Sequence, residues 1–137
     1  MTGLRQISTG FFGDCSSLRA INLSGLRNVV VIGSNFLDKC ESLEELDISG
    51  CVRLTSIGHR FLAGCSGLRH LNVSGLHQVN TIGGEFCAGT VGLTKVDLNA
   101  LVKVDYCNDM FAGCSCNLEV MVDDLPPYSP VRRAFKI

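Results

Sequence analysis

Apolar positions recur along this chain at one fixed interval. Leu18, Leu43, Leu68, Leu93 and Leu118 are each 25 residues apart, as are Ile7, Ile32, Ile57 and Ile82, and Phe11, Phe36, Phe61 and Phe86. A period of that size predicts a solenoid, in which each repeat buries the apolar face of its neighbour. Each repeat has two halves. Leu43-Glu44-Glu45-Leu46-Asp47-Ile48 and Leu68-Arg69-His70-Leu71-Asn72-Val73 alternate apolar and polar residues, which predicts a short strand with one buried face. Ser24-Gly25, Ser49-Gly50 and Ser74-Gly75 follow as turns. In the other half Ile57, Phe61, Leu62, Cys65 and Leu68 fall at helical spacing, which predicts a short helix on the outer side. The expected fold class is α/β: a short arc with a concave parallel β-sheet and short helices on the convex side, a strand being slimmer than a helix.

Two segments carry a resemblance. Leu46-Asp47-Ile48-Ser49-Gly50-Cys51-Val52-Arg53-Leu54-Thr55 is similar to the cysteine-containing leucine-rich repeats of F-box substrate receptors. Cys51 stands at the subtype's turn position, where Leu26, Leu76 and Leu101 stand in other copies. Phe61-Leu62-Ala63-Gly64-Cys65-Ser66-Gly67-Leu68 resembles the treponemal-type leucine-rich repeats of bacterial and protozoan proteins. The resemblance covers about residues 4 to 123 and implies a non-catalytic protein-interaction module. The first subtype implies substrate recognition for a ubiquitin ligase, the second a surface adhesive repeat protein.

The pattern weakens toward the C-terminus. Cys87 and Thr90 replace the Leu and Cys of the fourth copy, and Tyr106-Cys107-Asn108 replaces Ile-Gly in the fifth. A one-residue shortening before Met110-Phe111 is matched by an extra residue at Cys116-Asn117, so that Asp123 falls where a buried Leu is expected. Pro126 and Pro127 then stop regular structure. The expected division is residues 1–123 as a leucine-rich-repeat solenoid of about five repeats and 124–137 as a tail. The tail carries Tyr128, Arg132, Arg133 and Phe135; it either caps the last repeat or binds a partner. The first repeat has no polar cap before Leu4 and Ile7, so a protein partner, a second copy or further sequence is expected to cover that end.

Composition narrows the function classes. A net charge of −1 with interspersed signs gives no basic stripe for nucleic acid. Apolar runs such as Val29-Val30-Val31-Ile32 are too short to span a bilayer, and Met1-Thr2-Gly3-Leu4-Arg5 does not read as a secretory signal. Of eight cysteines, Cys15, Cys40, Cys65 and Cys114 share one column of the repeat. They are expected as buried thiols acting as small hydrophobes, which points to the cytoplasm or another reducing intracellular compartment. Cys114-Ser115-Cys116 lacks a second ligand pair, so no metal or other cofactor is expected. His59, His70 and His77 form no triad with a nucleophile and a carboxylate, and no enzyme is expected.

The strand columns supply the candidate binding residues. One reads Arg19, Glu44, Arg69, Thr94, Glu119; the next Ala20, Glu45, His70, Lys95, Val120; the third Asn22, Asp47, Asn72, Asp97, Val122. With strands about 4.8 Å apart, Arg19, Glu44 and Arg69 form an alternating ion ladder. The expected concave docking surface comprises Arg19, Glu44, Asp47, Arg69, His70, Asn72, Lys95 and Asp97. Asn22-Leu23-Ser24 and Asn72-Val73-Ser74 match the glycosylation acceptor pattern, but both arise from the repeat's own strand–turn sequence. The expected function is a scaffold subunit of a larger intracellular assembly, with protein partners and no membrane.

Overall fold

The computed structural model describes residues 4–23, 25–114 and 117–134. Among the described residues nine short strands follow one another: β1 (Gln6–Ile7), β2 (Ala20–Asn22), β3 (Val31–Ile32), β4 (Glu45–Asp47), β5 (Ser56–Ile57), β6 (His70–Asn72), β7 (Thr81–Ile82), β8 (Lys95–Asp97) and β9 (Glu119–Met121). One helix, α1 (Pro130–Ala134), ends the described chain. All strand pairs are parallel. β1, β3, β5 and β7 form one sheet in that order; β2, β4 and β6 form a second, and β8 pairs with β9 while lying against β6. Pairing runs in steps of one repeat, with Gln6 opposite Val31, Val31 opposite Ser56 and Ser56 opposite Thr81. The result is a parallel-strand solenoid of about five coils.

The repeated apolar residues meet inside. Ile32, Ile57 and Ile82 stack as one buried column, and Leu43, Leu68 and Leu93 as another. Phe36, Phe61 and Phe86 form a third, their rings stacked with centroids 5.4 and 5.1 Å apart. In the fifth coil Met110 is buried in that row, and Phe111 meets Phe86 edge-on at 6.5 Å.

The expected convex helices are not found. The stretch from Ile57 to Leu68 is built of turns, and α1 is the one helix among the described residues. The backbone bonds explain why. In a helix each N–H would bond four residues back within its own coil. Here Arg60 N–H donates to Gly84 O at 2.9 Å, Leu62 to Phe86 O at 2.7 Å and Gly64 to Ala88 O at 2.7 Å, all in the next coil. Left-handed residues alternate through these turns: Asn35, Leu37 and Lys39 in the second coil, Arg60 and Gly64 in the third, Glu85 and Gly89 in the fourth. They aim the N–H groups along the solenoid axis instead of along the chain. A helix is about 10 Å across, twice the spacing of stacked strands. Turns let the outer side keep the same spacing as the strands. The difference in width that predicted an arc is therefore missing.

The fifth coil is one residue shorter throughout its strand. Glu119 lies opposite Lys95 and Met121 opposite Asp97, a step of 24 where earlier coils step by 25. No extra residue restores the register before β9. Val122 and Leu125 are consequently buried, filling the places of Leu98 and Leu101, while Asp123 is exposed. The expected break at Asp123 does not exist.

Beyond β9 the chain turns at Pro126 and enters α1. Val131 is fully buried in the main core cluster, and the Ser129 hydroxyl accepts the Arg132 N–H at 3.3 Å as an N-cap. The Arg132 guanidinium donates to Leu125 O at 2.7 Å and Asp123 O at 3.3 Å. The tail thus buries an apolar residue against the last coil. Tyr128 remains 77% exposed. Phe135 lies outside the described residues.

Candidate protein-binding face

The longer strands β2, β4, β6, β8 and β9 share one face. In β4 and β8 the central residue points inward and its flanking polar residues outward: Leu46 is buried between exposed Glu45 and half-buried Asp47, and Val96 between exposed Lys95 and Asp97. This follows from the two-residue period of a strand. The face is depressed into a groove of about 820 Å³ lined by Glu45, Asp47, Arg69, His70, Asn72, Lys95 and Asp97, with Ile21, Leu46, Leu71 and Val96 at its floor. Six of the groove's polar side chains come from the sequence-derived set, and Glu45 joins them. Arg19 and Glu44, each one residue before its strand, are exposed but do not line the groove.

The strand register changes the column pattern. Because Glu119 sits opposite Lys95, one row reads Ala20, Glu45, His70, Lys95, Glu119. Glu119 belongs beside Lys95, not beside Thr94. The ladder of Arg19, Glu44 and Arg69 makes no direct ion pair; among the described residues the ion pairs centre on Arg60 on the opposite side. Its guanidinium reaches Asp38 at 3.1 Å and also contacts Glu85. The exposed face therefore offers charges that are unspent on one another.

Three of the candidate residues also have structural work. Asp47 Oδ1 accepts the Ser49 N–H at 2.9 Å and its hydroxyl at 2.6 Å. Asn72 Oδ1 accepts the Ser74 N–H at 3.0 Å, and Asp97 Oδ1 the Asn99 N–H at 2.9 Å. Each is an Asx turn that ends its strand. The Ser49 hydroxyl, then its N–H, hold the Asp47 carboxyl below the usual carboxylate range. The signal was present in the sequence as Asp or Asn two residues before Ser or Asn at each strand end. His59 is similarly occupied, its Nδ1 accepting the Gly84 N–H at 2.9 Å.

The thiols are built into the stack. The seven described cysteines are free. Cys40 donates to Phe12 O at 3.0 Å, Cys65 to Leu37 O at 3.0 Å and Cys114 to Cys87 O at 3.1 Å. Each bond ties one coil to the coil before it. Burial pushes the Cys65 thiol up to about 12 and the Cys51 thiol up to about 11. A raised folded value favours the fold while the thiol stays protonated. That contribution is complete below the ordinary value of 9.0 and is lost as pH climbs through about 11 and 12. At about pH 8, then, Cys51 and Cys65 are expected to react with a thiol-disulfide exchange reagent only after denaturation. Mass mapping of the labelled peptides checks this; rapid native labelling of either residue would contradict it.

Among the described residues no group of three His, Cys, Asp or Glu side chains is placed to hold a metal ion. No described helix is long and apolar enough to cross a membrane. A family model described as the BspA type leucine rich repeat region matches residues 1–117 in six copies. No curated protein and no solved structure matches the chain.

Proposed function

We propose, from the premise that this chain belongs to the BspA-type leucine-rich-repeat family, that it is a protein–protein interaction module whose long-strand face receives the partner. Leucine-rich repeats generally bind proteins and are generally non-catalytic. The observation that carries the reading is the groove of about 820 Å³, whose apolar floor is rimmed by Glu45, Arg69, His70 and Lys95 with no ion pair closing it. Arg69 is the best anchor, since arginine supplies several donors and is enriched at interface hot spots. Asp47, Asn72 and Asp97 hold the strand ends that set the groove's edge. Arg19 and Glu44 extend the charged surface beyond it, and the exposed tail residues Tyr128 and Arg133 give a second, smaller contact area.

Arg69→Glu is expected to weaken partner binding by about tenfold or more while leaving the thermal melt within about 0.5 kcal/mol of wild type, because the side chain is exposed. Titration of the captured partner against both proteins reads this. Equal binding would remove the groove from the interface.

The partner context we propose is a larger intracellular assembly in which the chain is a scaffold subunit, and a protein partner covers the first coil. The free, hydrogen-bonded thiols support a reducing compartment. The family match favours a second reading, because the BspA type is often surface adhesive. Labelling intact cells with a membrane-impermeant amine reagent separates the two: recovery of labelled chain supports the adhesive, and protection until lysis supports the scaffold.

A further inference from the structure

The groove of the long-strand face has two unlike edges. Alternate residues of a strand point the same way and stand about 7 Å apart, so one strand supplies both edges. Arg69, His70 and Lys95 stand where β6 and β8 begin, and Asn72 and Asp97 where they end, with Asp47 next to Asn72 on β4. Glu45 and Glu119 occupy the first edge on β4 and β9, so its positive charge is confined to β6 and β8. Ile21 and Leu71 lie half-buried between the edges. Among the described residues no aromatic side chain lines the groove.

The charges on both edges exceed what the fold needs. Asp47 and Asp97 each commit one oxygen to an Asx turn, accepting Ser49 N–H and Asn99 N–H at 2.9 Å. Asn72 closes the same turn at 3.0 Å without a charge. The turns fix the side chains, so the second oxygens of Asp47 and Asp97 are held in place, with no protein donor among the described residues. Two strand spacings put these carboxylates about 10 Å apart. Arg69 and Lys95 likewise have no ion pair among the described residues. A ligand seated in the groove therefore meets fixed negative charge on one flank and positive charge on the other. The spacing selects its backbone. Residues i and i+7 of an α-helix share a face about 10.5 Å apart, which matches the two carboxylates. An extended strand repeats a flank about every 6.8 Å, which does not. A polyproline helix repeats about every 9.3 Å but docks in aromatic-lined grooves, and this one is aliphatic. From β2 to β8 the groove spans about 15 Å, or about ten helical residues. The one described helix of this chain, α1, has five residues, so a second copy offers no such element among its described residues.

We propose that the groove takes an amphipathic helix of a partner protein, laid across the strands, with basic residues seven apart over Asp47 and Asp97 and acidic residues over Arg69 and Lys95. This rests on the protein-interaction reading above and adds the chemistry of the partner. The apolar stripe of the helix covers Ile21 and Leu71, the arrangement by which helices dock in aliphatic grooves. Unlike charges on the two edges also fix the direction in which the helix runs. Turning it end for end exchanges its flanks and sets like charges together, which selects against the reversed pose.

The probes are three fluorescein-labelled peptides with one leucine stripe, each shown by circular dichroism to be helical. The first carries lysine on one flank, seven residues apart, and glutamate on the other; the second carries glutamate on both flanks, the third lysine on both. A proline-rich peptide with the mixed charges is the fourth. Fluorescence anisotropy is measured with wild type, with Asp47→Asn/Asp97→Asn and with Arg69→Glu/Lys95→Glu, each first shown to be folded. Asparagine keeps the turns, as Asn72 does, so the first variant removes charge alone. The mixed helix is expected to bind wild type about tenfold or more tightly than the other probes. Asp47→Asn/Asp97→Asn should lose about fivefold for it and gain for the all-glutamate peptide. Arg69→Glu/Lys95→Glu should lose about tenfold for it and gain for the all-lysine peptide. Equal affinity among the helical peptides, tightest binding of the proline-rich peptide, no saturable binding, or binding unchanged in both variants would overturn the proposal. So would a dimer by sedimentation that Arg69→Glu/Lys95→Glu dissociates, since a second copy would then own the groove. Natural-partner binding that Arg69→Glu weakens, together with failure of the mixed helix, sinks the helix and leaves the interaction reading standing; natural-partner binding that Arg69→Glu leaves intact removes the reading itself.

Discussion

Phe61→Ala is expected to cost about 3–5 kcal/mol, the range for emptying a large buried aromatic site. Phe61 is fully buried and stacks on Phe36 and Phe86 at 5.4 and 5.1 Å. Truncation removes the transfer energy of the ring, leaves a cavity between two coils, and deletes two aromatic contacts worth about 0.5–1.5 kcal/mol each beyond their area. Relaxation is limited, because the strands on both sides hold the coil spacing. In a solenoid each coil is stabilised by its neighbours, so a defect in the third coil weakens both halves. Against a typical total of about 5–15 kcal/mol, the loss should lower the urea midpoint by about a fifth or more, or broaden the unfolding into two transitions. Phe11→Ala, at the open end and half exposed, is the control and should cost about 1 kcal/mol. Similar midpoints for the two variants would refute the stacked column.

Gly58→Ala is expected to cost about 3 kcal/mol or more through a different cause. A Cβ at Gly58 would meet Ser34 N at 2.5 Å and Gly33 C at 2.7 Å, both backbone atoms of the preceding coil. Gly33 and Gly83 show the same approach, at 2.6 Å to Thr9 N and to His59 N. Backbone cannot rotate away as a side chain can, so the coils must separate or the Gly58 N–H must give up its 2.8 Å bond to Ile32 O. The glycine is needed here for the closeness of two coils, with no left-handed angle involved. Gly25 has nothing within 4 Å of its added Cβ, and Gly25→Ala should lie within about 0.5 kcal/mol of wild type. Denaturant midpoints for the pair decide it; equal midpoints would show that the coils are not spaced as described.

These two columns also show what was readable in the residues. Ile, Phe and Leu at 25-residue spacing revealed the solenoid because each is buried at the same depth in successive coils. The outer half was misread as helix because Ile57, Phe61, Leu62, Cys65 and Leu68 satisfy helical spacing and stacked turns equally well. What distinguishes the two is left-handed backbone at Asn35, Leu37, Arg60 and Glu85. None of these is glycine, so residue type carried little warning. Gly10, Gly64, Gly89 and Gly113 hinted at it. The shift at β9 was hidden because Leu118 stands 25 residues after Leu93, although the strand that follows pairs at 24. Period and composition say which residues face outward. They do not say that Asp47, Asn72 and Asp97 close turns, nor that Arg69 lines a groove while Arg19 does not; those depend on side-chain contacts between and within coils.

The most direct test of the central claim is a paired capture from native lysate at moderate salt. Tagged wild type and tagged Glu45→Lys/Arg69→Glu are used, with bound proteins quantified by mass spectrometry. Both side chains line the groove and are exposed, so the double variant should remain folded. A protein recovered stoichiometrically with wild type and depleted about tenfold or more from the variant is the result this account predicts. Recovery of the same proteins in the same amounts with both chains would contradict a protein-binding role for the long-strand face.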